Sequence, residues 1–134
     1  MADLADSVSG ISYEDVLAEQ LEDPEFRAEW ERLAPARAVA LRLVGYRVEH
    51  DLTQTALGRI LRMPQSAVAR LESGDHVPSL ETLVRLSDAL DIEFLVDIKP
   101  KGSRTSWVSR QAESAAVVEK VTTRNGGELL VAAS

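Results

Sequence analysis

The stretch Thr53-Gln54-Thr55-Ala56-Leu57-Gly58-Arg59-Ile60-Leu61-Arg62-Met63-Pro64-Gln65-Ser66-Ala67-Val68-Ala69-Arg70-Leu71-Glu72-Ser73-Gly74 decides how this chain is read. Leu57, Ile60 and Leu61 recur at helical spacing in its first half, and Val68 and Leu71 in its second. Each half therefore carries one apolar stripe and reads as a short amphipathic helix. The five stripe residues are expected to meet in one small hydrophobic knot. Gly58 costs roughly 1 kcal/mol against alanine in a helix, which close backbone approach offsets if the two helices meet there; otherwise it is a neutral helix defect. Pro64 has a φ suited to a first helical turn and no N–H to leave unpaired, which predicts a second helix starting at residue 64 and closed by Gly74.

Two short helices around a tight bend, with one face of the second left open, are the geometry of a helix-turn-helix entering a DNA major groove. The open face here holds Gln65, Ser66, Ala69 and Arg70. Gln can bond an adenine edge with two hydrogen bonds, Arg can do so to guanine, Ser can donate or accept, and Ala69 suits a thymine methyl. Gln54, at the start of the first helix, is placed to clasp a phosphate together with the free N–H groups of that helix end. Arg59 and Arg62 supply local positive charge for phosphates, and His76, in the loop that follows, is a further phosphate contact. The competing reading is a solvated face of an ordinary helical bundle.

Residues 41 to 95 resemble the Cro/cI-type, or XRE, helix-turn-helix repressors. The resemblance rests on Leu52-Thr53-Gln54, Leu57-Gly58, Gln65-Ser66, Val68, Leu71-Glu72-Ser73-Gly74 and Pro78-Ser79-Leu80-Glu81-Thr82-Leu83, followed by a helix to Leu90. It implies a structural ion pair between Arg47 and Glu72. Arg62 departs from the family pattern, which has glycine in the bend, so either the turn differs in shape or Arg62 takes a left-handed conformation.

The chain has 134 residues, 45% hydrophobic and 4% aromatic, which supports one compact domain with appendages and a core of Leu, Val and Ala. It has no cysteine, hence no disulfide or thiolate metal site. The acidic start Met1-Ala2-Asp3-Leu4-Ala5-Asp6 lacks the basic region of a signal peptide, and the longest apolar run, Leu129 to Ala133, falls far short of the roughly 20 residues that span a bilayer. A cytoplasmic location is expected. The net charge of −7 is unevenly spread: −8 over residues 1–34, +2 over 35–78, −4 over 79–98 and +3 over the remainder. So modest a basic patch implies weak, salt-dependent binding by one copy. A homodimer is therefore expected, setting two recognition helices about 34 Å apart on a palindromic operator of double-stranded DNA.

Residues 1–34 form an acidic helical arm that a minimal repressor does not need. Ser12 with Asp15 is a shortened capping box for a helix Tyr13 to Leu21. Asp23-Pro24 starts another, with Phe26, Trp30 and Leu33 on one stripe. Pro35 is expected to break or kink the chain before a helix from Ala36 to His50. An acidic helix with an aromatic stripe suits a basic protein partner; the alternative is that the aromatics pack on the helix-turn-helix or on a dimer mate. Residues 20 to 98, through Asp23-Pro24-Glu25-Phe26-Arg27-Ala28-Glu29-Trp30 and Leu52-Thr53-Gln54, also resemble HigA-like antitoxins of type II toxin–antitoxin pairs. Their partners are small basic RelE/HigB-like ribonuclease toxins, and the antitoxin also represses its own operon.

The fold class expected is mainly α: a Cro/cI (lambda repressor-like) helix-turn-helix bundle over residues 35–92, the helical arm over 1–34, and a short β element over 93–134. Within the last segment, Phe94, Val96 and Ile98 alternate with Glu93 and Asp97 as a strand does, to be paired with its copy in a second protomer or with the carboxy-terminal segment. Lys99 to Arg104 is a basic linker. Val117 to Thr123 and Glu128 to Ala133 read as a hairpin around a type I′ turn at Asn125-Gly126, with a helix over Ser109 to Val121 as the alternative. An enzyme is not expected and no cofactor or metal is called for, since His50 and His76 stand beside no nucleophile and in no metal-binding spacing. A stand-alone regulator without a toxin partner remains the other functional class.

Overall fold

The computed structural model describes residues 10–103, 111–122 and 125–134. The acidic Met1–Asp6 start, Arg104 of the linker, and Ser109 and Thr123 lie outside the described residues. The described residues form six helices and one small three-stranded sheet: α1 Tyr13–Gln20, α2 Pro24–Arg32, α3 Ala34–Glu49, α4 Gln54–Leu61, α5 Gln65–Ser73, α6 Leu80–Leu90, β1 Phe94–Lys99, β2 Val117–Thr122 and β3 Glu128–Ala133. The chain divides into two compact units, residues 1–32 and 33–134.

The first unit is held by local interactions. Ser12 caps α1, its hydroxyl accepting from the Asp15 N–H at 3.1 Å while the Asp15 carboxylate accepts from the Ser12 N–H at 3.4 Å. On α2, Asp23 accepts from the Glu25 N–H at 3.0 Å, and Arg27–Glu31 and Arg32–Glu29 pair one turn apart at 3.0 and 2.6 Å. Neither helix has a fully buried residue. Helix α2 ends at Arg32, so Leu33 stands beyond it as the N-cap position of α3 and does not continue the Phe26–Trp30 stripe.

In the second unit α3 begins at Ala34, two residues before the expected Ala36, because Pro35 sits in the first helical turn, where its missing N–H has no acceptor to serve. The predicted break falls instead at Leu33. Ala34, Ala36, Ala38, Val39, Ala40 and Leu43 are all buried on α3. The helix packs against α5 on one side and against β2 and β3 on the other. Small side chains suit a helix enclosed on two faces. Val39, Leu43, Leu57, Leu61, Val68, Leu71, Leu86, Leu90 and Ile92 make the core, with Ala133 of β3 joining it.

The knot differs from expectation at one residue. Leu57 and Leu61, one full turn apart, are buried with Val68 and Leu71, whereas Ile60 is 44% exposed at the rim of α4. An added Cβ on Gly58 would stand 2.6 Å from the Met63 carbonyl oxygen, so glycine here is a requirement of close approach. Arg62 takes the left-handed conformation, φ 56°, which turns the chain between the helices. Pro64 is extended, ψ 157°, and precedes α5 as its N-cap; the helix starts at Gln65, one residue later than predicted.

The sheet is antiparallel in the order β1-β3-β2. The β1 strand thus pairs with the carboxy-terminal segment, and residues 117–122 are strand, not helix. Thr122 pairs with Glu128, leaving an odd number of residues between them, whereas a two-residue turn needs an even number. The type I′ turn is therefore not formed; a longer loop with Gly126 at φ 81° replaces it. Arg37 and Glu119 pair at 3.3 Å between α3 and β2.

Candidate nucleic-acid interface

Helix α4 starts where Thr53 caps it, its hydroxyl accepting the Ala56 N–H at 3.0 Å. The N–H groups of Gln54 and Thr55 lack intrahelical acceptors, as at every helix start, and they face outward with the positive end of the helix dipole. Helix α5 crosses α4 through the Gly58 contact and exposes Gln65, Ser66 and Arg70, with Ala69 half-buried between them. These four lie on one strip because 65, 66, 69 and 70 are one helical turn apart in pairs. Val68 and Leu71, fully and almost fully buried, hold the opposite side of α5 to the core, so the strip's orientation is set by packing.

A polar network stands behind the strip. The Arg47 guanidinium donates to both carboxylate oxygens of Glu72, at 2.6 and 3.3 Å, and to the Leu52 carbonyl at 3.1 Å. Gln54 donates its Nε2 to the second Glu72 oxygen at 2.5 Å and accepts from Gln65 Nε2 at 2.7 Å. The chain of contacts runs Arg47–Glu72–Gln54–Gln65, from α3 through α5 and α4 back to the first residue of α5. Gln54, which sequence reading assigned to a phosphate, has its side chain engaged in positioning Gln65; what it can offer a phosphate is its backbone N–H. Gln65 keeps its Oε1 and its second Nε2 hydrogen for an outside partner. Gln54 and Gln65 are the first residues of α4 and α5, and it is the crossing of these two helices that brings their side chains together.

Arg59 and Arg62 are exposed on α4 and on the bend. Sequence reading missed Arg85 of α6, which lines one groove with Ile60, Leu61, Arg62, Asp88 and Ala89, so that two arginines and one carboxylate border it. His76 is half-buried, and its Nδ1 is enclosed with no hydrogen-bond partner among the described residues. Phe26 and Trp30, expected to meet a protein partner, stack at 6.1 Å on α2. Among the described residues no helix is long and apolar enough to cross a membrane.

No curated protein and no solved structure matches the chain. Residues 45–96, from within α3 to within β1, match the Helix-turn-helix family. The match spans both site helices and all four members of the Arg47–Glu72–Gln54–Gln65 network. Residues 45–96 are thus similar to the Helix-turn-helix family, and that similarity supports a DNA-binding regulator.

Proposed function

We propose that this protein is a sequence-specific transcriptional repressor that binds a palindromic operator as a homodimer. The observation that carries the reading is the exposed strip of α5, whose first reader, Gln65, is braced from behind by Gln54 and Glu72. In this reading Gln65, Ser66, Ala69 and Arg70 contact base edges in the major groove. The N–H groups at the start of α4, with Arg59, Arg62 and His76, hold phosphates. Duplexes selected from a random pool supply the test. On them Arg70→Ala is expected to cost roughly 1–3 kcal/mol and relax the preference at one base pair, while Arg59→Ala weakens all sequences alike and lowers the salt slope by about 1. Equal losses on selected and random duplexes for both variants would refute the assignment.

We further propose that the arm binds a small basic protein. The repressor would then be the antitoxin of a type II pair, neutralising a RelE/HigB-like ribonuclease and controlling its own operon. Support comes from the net charge of −8 over residues 1–34 and from the Phe26–Trp30 stack on a helix without buried residues. A tagged full-length chain is expected to retain a small basic protein from its host, and a Phe26→Ala/Trp30→Ala chain to lose it. If neither chain retains one, the protein is a stand-alone regulator.

A further inference from the structure

The sheet has one open side. Glu93 and Ser134 exchange both backbone hydrogen bonds, at 3.2 and 3.0 Å, ahead of the β1–β3 ladder. Bonded pairs alternate along an antiparallel ladder. Leu95, Asp97 and Lys99 therefore turn their N–H and C=O groups toward β3, and Phe94, Val96 and Ile98 turn theirs away. Among the described residues nothing pairs with that outer row. The side chains of Phe94, Val96 and Ile98 share one sheet face, where Ile98 is 75% exposed. Leu80, Leu83 and Val84 of α6 line, with Phe94 and Val96, a groove of about 500 Å³ that is apolar at these residues and polar where Ser87 and Asp88 complete it. Leu80 and Val84 are themselves largely exposed.

We propose that this edge is the homodimer interface, occupied by β1 of a second copy running antiparallel about Val96. The backbone selects that register. Val96 opposite Val96 and Phe94 opposite Ile98 set outward row against outward row, so every outward N–H meets a C=O. A shift of one residue turns the rows away from each other, and a shift toward the carboxy terminus brings in Pro100, which has no N–H. The same register sets Glu93 opposite Lys99, whose ammonium already lies 3.5 Å from both Asp97 and Glu128 of its own chain, and places no like charges face to face. It also lays Ile98 of the second copy beside Phe94, at the mouth of the α6–β1 groove, where the exposed Leu80 and Val84 stand. An apolar strand edge left open is a template for aggregation, and two-fold pairing closes it. The proposal rests on the repressor reading only for its use, since such a two-fold axis relates two α5 helices for two half-sites.

Light scattering on size-exclusion chromatography of the full chain at micromolar concentration tests this. Val96→Pro removes one outward N–H, a substitution that an edge strand accepts; Val84→Lys/Ile98→Lys charges the groove and the strand without touching the backbone. The wild type is expected at twice the chain mass and both variants at half of that, with unchanged far-UV circular dichroism. A monomeric wild type, or a lysine variant that stays dimeric, would overturn the proposal. Should Val96→Pro lose helical signal, the lysine pair decides alone. Duplex binding is measured on the same samples: a wild type that dimerises through this edge but binds no duplex supports the interface and contradicts the repressor reading instead.

Discussion

Residues 13–32 and residues 33–134 both contain amphipathic helices, yet the two regions are stabilised in opposite ways. Helices α1 and α2 rest on caps and on ion pairs one turn apart, with no buried residue. Helices α3 to α6 enclose a leucine core that also takes in the end of β3. Exposed ion pairs contribute little because water and salt screen them, while a fully buried leucine contributes roughly 1.5–3 kcal/mol. The two units should therefore respond to different perturbations, packing changes in one and capping or charge changes in the other.

The largest expected effect is in the core. Leu57→Ala should destabilise the second unit by about 2–5 kcal/mol, read as a lower midpoint in urea with unchanged slope. Gly58→Ala comes next at about 1–3 kcal/mol, because the new methyl meets the Met63 carbonyl and one of the two helices must shift. Glu72→Ala removes the carboxylate that Arg47 and the Gln54 amide share, at a cost of about 1–3 kcal/mol, and loosens the Gln54 side chain that braces Gln65. It should therefore weaken binding to a selected duplex more than Thr53→Ala, which removes only the α4 cap.

The smallest effects belong to the arm. Ser12→Ala should cost about 1 kcal/mol of local α1 helicity and leave the midpoint of the second unit unmoved. A shift of that midpoint by the full amount would erase the distinction between the units. The hydrogen bond from Arg32 holds the Glu29 carboxyl below the usual carboxylate range. Its contribution is present above that range and is lost as pH falls through the lowered value. Acidification should thus remove more α2 helicity from the wild type than from Arg32→Gln, by circular dichroism.

Where one residue type meets one geometric need, sequence sufficed. The Leu57–Leu61 spacing, the Ser12–Asp15 capping box and the close approach at Gly58 each answer a local requirement, and each stands where periodicity, capping chemistry or the cost of a helical glycine pointed. Ile60 fits the same helical stripe but lies on its edge, and periodicity alone does not tell the edge of a stripe from its buried centre. Pro35 permits both a break before a helix and a place in its first turn; the two-sided enclosure of α3 selects the second. The β1 pairing was open because alternation tells that a strand exists and not which edge it joins. Within the site, the strip of α5 followed from helical spacing, whereas the Gln54–Gln65 link needed the crossing of two helices in three dimensions.

Whether α5 reads bases can be decided by fluorescence anisotropy of a duplex selected from a random pool, set against a scrambled duplex and titrated with the wild type and with Arg70→Ala. The wild type is expected to prefer the selected duplex, and Arg70→Ala to lose most of that preference while keeping its affinity for the scrambled one. A wild type that binds neither duplex, or an Arg70→Ala that keeps the full preference, would overturn the reading of α5 as the base-contacting helix.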